Sequence, residues 1–115
     1  MLRGEIRVVD FGQGRPGESA KRRPAVIVSN DGANTTAARL GRGSLTVVPM
    51  TTNVEKVYPF QVLVPAQSTD LENDSKAQAE QVRTISFERL GESLGSVPAR
   101  LMLELDEALR LHLSL

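Results

Sequence analysis

The chain of 115 residues has no cysteine and no tryptophan, and His112 is its only histidine. Without cysteine there can be no disulfide and no thiolate metal site, so the fold must be held by burial alone. That absence fits a cytoplasmic protein. No apolar run approaches the roughly 20 residues of a membrane span. The opening Met1-Leu2-Arg3-Gly4-Glu5 lacks the apolar region of a signal peptide. The expectation is a soluble, cytoplasmic protein with no membrane association. Net charge is also absent, with 14 cationic and 14 anionic side chains, which argues against a generic nucleic-acid coat protein. The charge is unevenly spread, however. Residues 1–60 hold nine cations against five anions, and the remaining residues hold five against nine. One face can therefore attract a polyanion or an acidic peptide while the whole stays neutral.

What is present is organised around Lys21-Arg22-Arg23-Pro24-Ala25-Val26-Ile27-Val28-Ser29-Asn30-Asp31. Three adjacent cations lead into a proline. Ala25 to Val28 are apolar without alternation, as in a strand buried on both faces. Pro24 cannot donate to a ladder and is expected at the first position of that strand. Arg23 then stands where a loop becomes a rigid strand, either as a surface gatekeeper or as a positioned functional group.

The remaining segments alternate between short strands and turns. Gly4 to Phe11 has period-two patterning and predicts a strand. Gly12 to Ala20, with three glycines and Pro16, predicts a loop, and it carries Arg15, Glu18 and Ser19. Asn34 to Leu40 predicts a short helix capped by Asp31 or Asn34. Ser44 to Pro49 predicts a strand running into Met50-Thr51-Thr52-Asn53, whose polar groups either cap the strand or face a ligand. Phe60 to Val64 predicts another strand, and Gln67 to Asn73 an exposed acidic turn. Ser75 to Ser86 reads as one long strand whose small residues suggest close contact with another backbone or subunit. Ser86 caps a helical turn through Leu90, and Leu94 to Val97 predicts a short strand. From Pro98 to about Leu113 a strong helix is expected, with Leu101, Leu105, Ala108, Leu109 and His112 on one face. His112 is read there as a packing or interface residue. No βαβ alternation appears. The prediction is a single domain over 1–115, mainly β with α: a small antiparallel barrel with short helices and a C-terminal helix laid against it.

Several segments together resemble the MazF/PemK toxins of bacterial type II toxin–antitoxin systems. They are Arg3-Gly4-Glu5-Ile6, Val9-Asp10-Phe11, Gly17-Glu18, Arg23 to Asp31, Val48-Pro49-Met50-Thr51-Thr52-Asn53, Tyr58-Pro59-Phe60 and Ala79-Glu80-Gln81-Val82-Arg83-Thr84-Ile85. The resemblance spans the chain in order. It implies an SH3-like barrel that works as a homodimer, and a sequence-specific endoribonuclease acting on single-stranded mRNA. It also implies a cognate antitoxin whose acidic C-terminal tail occupies the RNA surface. On this resemblance the catalytic residues are Arg23, Thr51 and Glu18. The family often has Gly-Ser-Glu where this chain has Gly17-Glu18-Ser19.

The implied chemistry needs neither cofactor nor metal. The 2′-hydroxyl of RNA attacks the adjacent phosphate, giving a 2′,3′-cyclic phosphate and a 5′-hydroxyl. A histidine pair is one way to move the protons, and this chain has one histidine. Arg23 offers a permanent forked cation for the phosphorane, and Thr51 a hydrogen bond to a phosphate oxygen. Glu18 is a candidate general base, as are a neighbouring residue and the substrate itself. RNA contacts are expected from Arg15, Ser19, Lys21, Arg22, Arg39, Thr52, Asn53, Lys56 and Gln81. With few aromatics, base edges should be read more by hydrogen bonds than by stacking. Two other classes stay open. Gyrase-inhibiting CcdB toxins share such a barrel and act on a protein, and a non-catalytic SH3-like binding module needs no chemistry.

Overall fold

The structure is a computed structural model that describes residues 1–12 and 22–115. Seven strands form the body: β1 (Glu5–Asp10), β2 (Arg22–Ile27), β3 (Ser44–Thr51), β4 (Gln61–Val64), β5 (Ser75–Gln78), β6 (Arg83–Ser86) and β7 (Leu90–Ser96). Two α-helices accompany them, α1 (Asp31–Leu40) and α2 (Ala99–Leu113). All strand pairs are antiparallel, in the order β4-β5-β3-β2-β1-β7, with β6 also pairing β3. This is the small antiparallel barrel with a C-terminal helix that the patterning predicts.

β3 is the hinge of the architecture. Its first half, Ser44 to Val47, pairs with β6, and its end, Met50 and Thr51, pairs with β5. The segment from Ser75 to Ser86 is therefore two strands rather than the one expected. A 3₁₀ turn, Ala79–Gln81, lets the chain turn the corner between them. Ala77 and Ala79 are fully buried in this chain's own core, in the cluster that includes Leu101, Leu105 and Ala108 of α2. Their small size serves the packing of α2 rather than contact between subunits.

β2 is central, with β1 on one side and β3 on the other. That explains why Ala25, Val26 and Ile27 are all buried despite alternating faces. Val26 joins Ile6, Val48 and Met50 beneath α2, while Ala25 and Ile27 join Val9, Leu45 and Val47 beneath α1. The strand begins at Arg22 and not at Pro24. Pro24 is tolerated inside it because pairing with β3 starts only at Ala25.

The helix after β2 starts earlier than expected. Asn30 is its cap and accepts a hydrogen bond from the Ala33 amide at 2.8 Å. Asn34 is instead fully buried inside the helix, its amide donating to the Ser29 carbonyl at 2.8 Å. In α2, Leu101, Leu105 and Ala108 face the barrel as expected, but His112 and Leu113 are exposed. Arg3 ties these parts together. It donates to the Val28 carbonyl and to Asp106 of α2, at 2.8 and 2.7 Å. No helix is long and apolar enough to cross a membrane among the described residues.

Candidate active site

Ala25 of β2 lies opposite Pro49 of β3. Extended two residues past this last pair, the same register would set Arg23 across from Thr51, and Arg23 Nη2 reaches Gln78 of β5 at 2.7 Å. Thr51 in turn pairs with Lys76 of β5, and Gln78 follows two residues later. Opposed residues of an antiparallel pair share a face, as do alternate residues of one strand. Arg23, Thr51, Lys76 and Gln78 therefore project from one face of the sheet. Met50 and Ala77, between them, point into the core.

Arg23 is held firmly on this face. Its Nε and Nη2 donate to the Met50 carbonyl at 3.2 and 2.9 Å, and Nη2 also donates to Gln78 Oε1 at 2.7 Å. Nη1 has no partner among these hydrogen bonds of the described residues. Burial pushes the Arg23 pKa below the usual arginine range, because desolvation disfavours the charged form. A guanidinium oriented by the sheet and partly stripped of water is a preorganised anion binder. Thr51 is half-buried, and its Oγ1 accepts from the Asn53 amide at 3.3 Å. Its hydroxyl proton can then point to another acceptor.

The connection after β3 folds back beside this face. Asn53 Oδ1 accepts from the Glu55 amide at 3.4 Å, and the Lys56 carbonyl accepts from Lys76 Nζ at 2.6 Å. Asn53, Glu55, Lys56, Tyr58 and Lys76 line a cavity of about 400 Å³. Asn53 is thus held next to Thr51, and Lys56 next to Lys76, the strand partner of Thr51.

Other residues expected at the site lie elsewhere. Arg22 alternates to the opposite face from Arg23, where it lies over Gly91; a Cβ on that glycine would stand 3.2 Å from Arg22 Nη2 and from the Val8 carbonyl. Thr52 lines a second cavity, of about 330 Å³, with Pro24, Asp70, Glu72 and Glu92. Those three carboxylates repel a polyanion, whereas the face of Arg23 and Lys76 presents cations. Arg39 is exposed in the last turn of α1, whose Ala37 packs with Leu45 at the far end of β3. The structure does not bring it to Thr51. Gln81 is exposed on the corner turn between β5 and β6. Arg15, Glu18, Ser19 and Lys21 lie outside the described residues.

Lys76 and Gln78 were not among the expected site residues, and Tyr58 entered only through the Tyr58-Pro59-Phe60 segment of the resemblance. The available signal was a lone lysine in the small and amide-rich run Ser75 to Gln81, which pattern alone reads as strand.

The family model for PemK-like, MazF-like toxins of type II toxin–antitoxin systems matches residues 2–113. The chain belongs to the PemK/MazF toxin family. Endoribonuclease MazF9 of Mycobacterium tuberculosis is 58% identical over 115 residues, covering 100% of this chain and 98% of the relative. Endoribonuclease MazF6 of the same organism is 34% identical over 113 residues, covering 98% of this chain and 96% of the relative. Among solved structures, an endoribonuclease in complex with its cognate antitoxin, from a mycobacterial species, superposes with a TM-score of 0.78. It is 28% identical and covers 100% of this chain and 96% of its own. The barrel and its closing helix are thus those of a PemK/MazF toxin.

Proposed function

We propose that the chain is a sequence-specific, metal-independent endoribonuclease toxin that cleaves single-stranded RNA and is inhibited by a cognate antitoxin. The observation that carries this reading is the Arg23–Thr51 pair. Both stand on one open sheet face, with the guanidinium fixed by the Met50 carbonyl and Gln78.

The reaction follows from that arrangement. The 2′-oxygen forms a bond to phosphorus, the bond from phosphorus to the 5′-oxygen breaks, and the 2′-proton leaves to a base while the 5′-oxygen gains one. Arg23 binds the phosphate oxygens and stabilises the added charge of the phosphorane. Thr51 donates to a phosphate oxygen from the neighbouring strand. Glu18 is proposed as the base, or as a substrate contact. Because the nucleophile belongs to the substrate, no metal hydroxide is required. Asn53 and Lys56, beside Thr51, are proposed to contact flanking nucleotides, together with Arg15, Ser19 and Lys21. An acidic antitoxin tail would compete for the same cations. The working form is proposed as a cytoplasmic homodimer with RNA across both copies.

The test is an RNA oligonucleotide holding one cleaved site, incubated in EDTA, with and without a 2′-deoxy substitution at the nucleotide before the cut. The reading predicts a 2′,3′-cyclic phosphate from the all-ribose strand and no cut in the deoxy one. Cleavage of the deoxy strand at that bond would discard internal attack. An intact all-ribose strand would favour a toxin acting on a protein.

A further inference from the structure

Lys76 is an unusual residue for its position. It sits within β5, between β3 and β4, and only 7% of it is exposed. Lysine is almost never buried without partners. Here the partners come from one segment, the connection between β3 and β4. Nζ donates to the Lys56 carbonyl at 2.6 Å and stands 5.8 Å from the centroid of the Tyr58 ring. The Tyr58 ring is itself stacked on Phe60, with centroids 5.4 Å apart and planes 1° from parallel. The Tyr58 amide donates to Gln61 Oε1 at 3.2 Å, and Gln61 Nε2 donates to Glu80 at 2.8 Å. The connection is thereby fastened at one end by this side-chain chain and at its middle by the Lys76 ammonium.

The stretch so fastened carries Asn53, Glu55 and Lys56, which with Tyr58 and Lys76 line the cavity of about 400 Å³. One of its lining residues, Lys76, is the cross-strand partner of Thr51, and another, Asn53, donates its amide to Thr51 Oγ1. An amide, a carboxylate and an ammonium around one concavity form a mixed donor and acceptor set. Such a set suits the edge of a nucleobase better than a bare phosphate, which would meet the Glu55 carboxylate. Tyr58 is 45% exposed, but Phe60 stacked on its ring and the Lys76 ammonium 5.8 Å from its centroid make it an anchor of the connection.

We infer that Lys76 is a positioning residue that sets base selectivity, by holding the 53–58 connection in the shape that reads one nucleobase next to the scissile phosphate. This rests on the ribonuclease reading above. Lys76 acts through the Lys56 main chain and the Tyr58 ring, and its charge need not touch RNA.

The test compares wild type, Lys76→Met and Lys76→Arg, with thermal melts to confirm that each is folded. Amide hydrogen exchange is read over residues 53–58, and kcat and KM are measured on the cleaved sequence and on single-base variants flanking the cut. In Lys76→Met, exchange at 53–58 should accelerate, and discrimination against one flanking base should fall by roughly tenfold to a hundredfold. Lys76→Arg, which can still donate to the Lys56 carbonyl, should recover part of that discrimination. Unchanged exchange at 53–58 in Lys76→Met would overturn the inference even if the protein cleaved no RNA. Faster exchange with an equal rise in KM for every sequence would also overturn it, because that is the mark of a phosphate contact. Failure of wild type to cut RNA would remove the ribonuclease reading, and with it the claim on selectivity.

Discussion

Arg23 combines two properties that the proposed catalytic role requires, orientation and partial desolvation. It is oriented by hydrogen bonds to Met50 and Gln78, and burial lowers its pKa. The sign of that shift matters. Burial disfavours the charged form, so its cost is present wherever arginine is protonated, which covers ordinary assay pH, and is relieved only as pH rises through the folded value. The hydrogen bonds offset this cost, and the side chain is not fully enclosed. Arg23→Met is therefore expected to leave the melting temperature within a few degrees of wild type while cleavage is lost. Arg23→Lys should lower kcat by about 10²–10³-fold, because an ammonium cannot grip the Met50 carbonyl, Gln78 and a phosphate with one planar fork. Retention of near-normal kcat in Arg23→Lys would mean that charge alone suffices.

At the same scale, what could be read from sequence divides by the range of the interactions. The placement of Arg23 and Thr51 at strand ends was legible because each is marked by its immediate neighbours, Pro24 on one side and Thr52-Asn53 on the other. Lys76 was not legible. Its importance comes from the register that pairs it with Thr51 and from a connection that folds back over it. Neither is encoded in the residues next to it. Arg22 was misplaced for a simpler reason: adjacent residues of a strand point to opposite faces, so a run of cations does not make one cationic surface.

At the level of elements, α1 and α2 hold the sheet that carries the site. Asn30 caps α1, and Asn30→Ala should cost about 1 kcal/mol. Chemical denaturation would read this as a lower midpoint with an unchanged slope. Asn30, Asp31 and Asn34 are all competent caps by residue type. The choice of Asn30 follows from the burial of Asn34 against Ser29, a tertiary contact. Leu105, 1% exposed, joins α2 to the barrel core, and Leu105→Ala should cost about 2–5 kcal/mol. A loss well under 1 kcal/mol would mean that the helix is not seated as described. The break between β5 and β6 belongs to this scale too. The 75–86 run looks continuous in sequence, and it is the change of partner along β3 that divides it.

At the scale of the whole molecule, the neutral chain separates its charges among the described residues: Lys56 and Lys76 line one cavity, near the face proposed to bind RNA, and Asp70, Glu72 and Glu92 line another. RNA affinity should accordingly fall steeply with salt despite zero net charge. Removing one phosphate-contacting cation should reduce the log–log salt slope by about 0.7. Arg23→Met, which removes the proposed phosphate-binding cation, is expected to show that change, and Glu92→Gln to leave the slope unaltered. Equal slopes for wild type and Arg23→Met would remove Arg23 from the phosphate path. Glu92→Gln altering the slope would place RNA at the acidic cavity.

The central claim is that the Arg23 face cuts RNA. The most direct measurement is cleavage of a long, unstructured RNA in EDTA by wild type and by Arg23→Ala, both purified free of contaminating nuclease, with mapping of every new end. The account predicts discrete cuts at one short sequence by wild type, ending in 2′,3′-cyclic phosphate, and none by Arg23→Ala. Cuts of the same sequence and end chemistry by Arg23→Ala, at a rate near that of wild type, would contradict it.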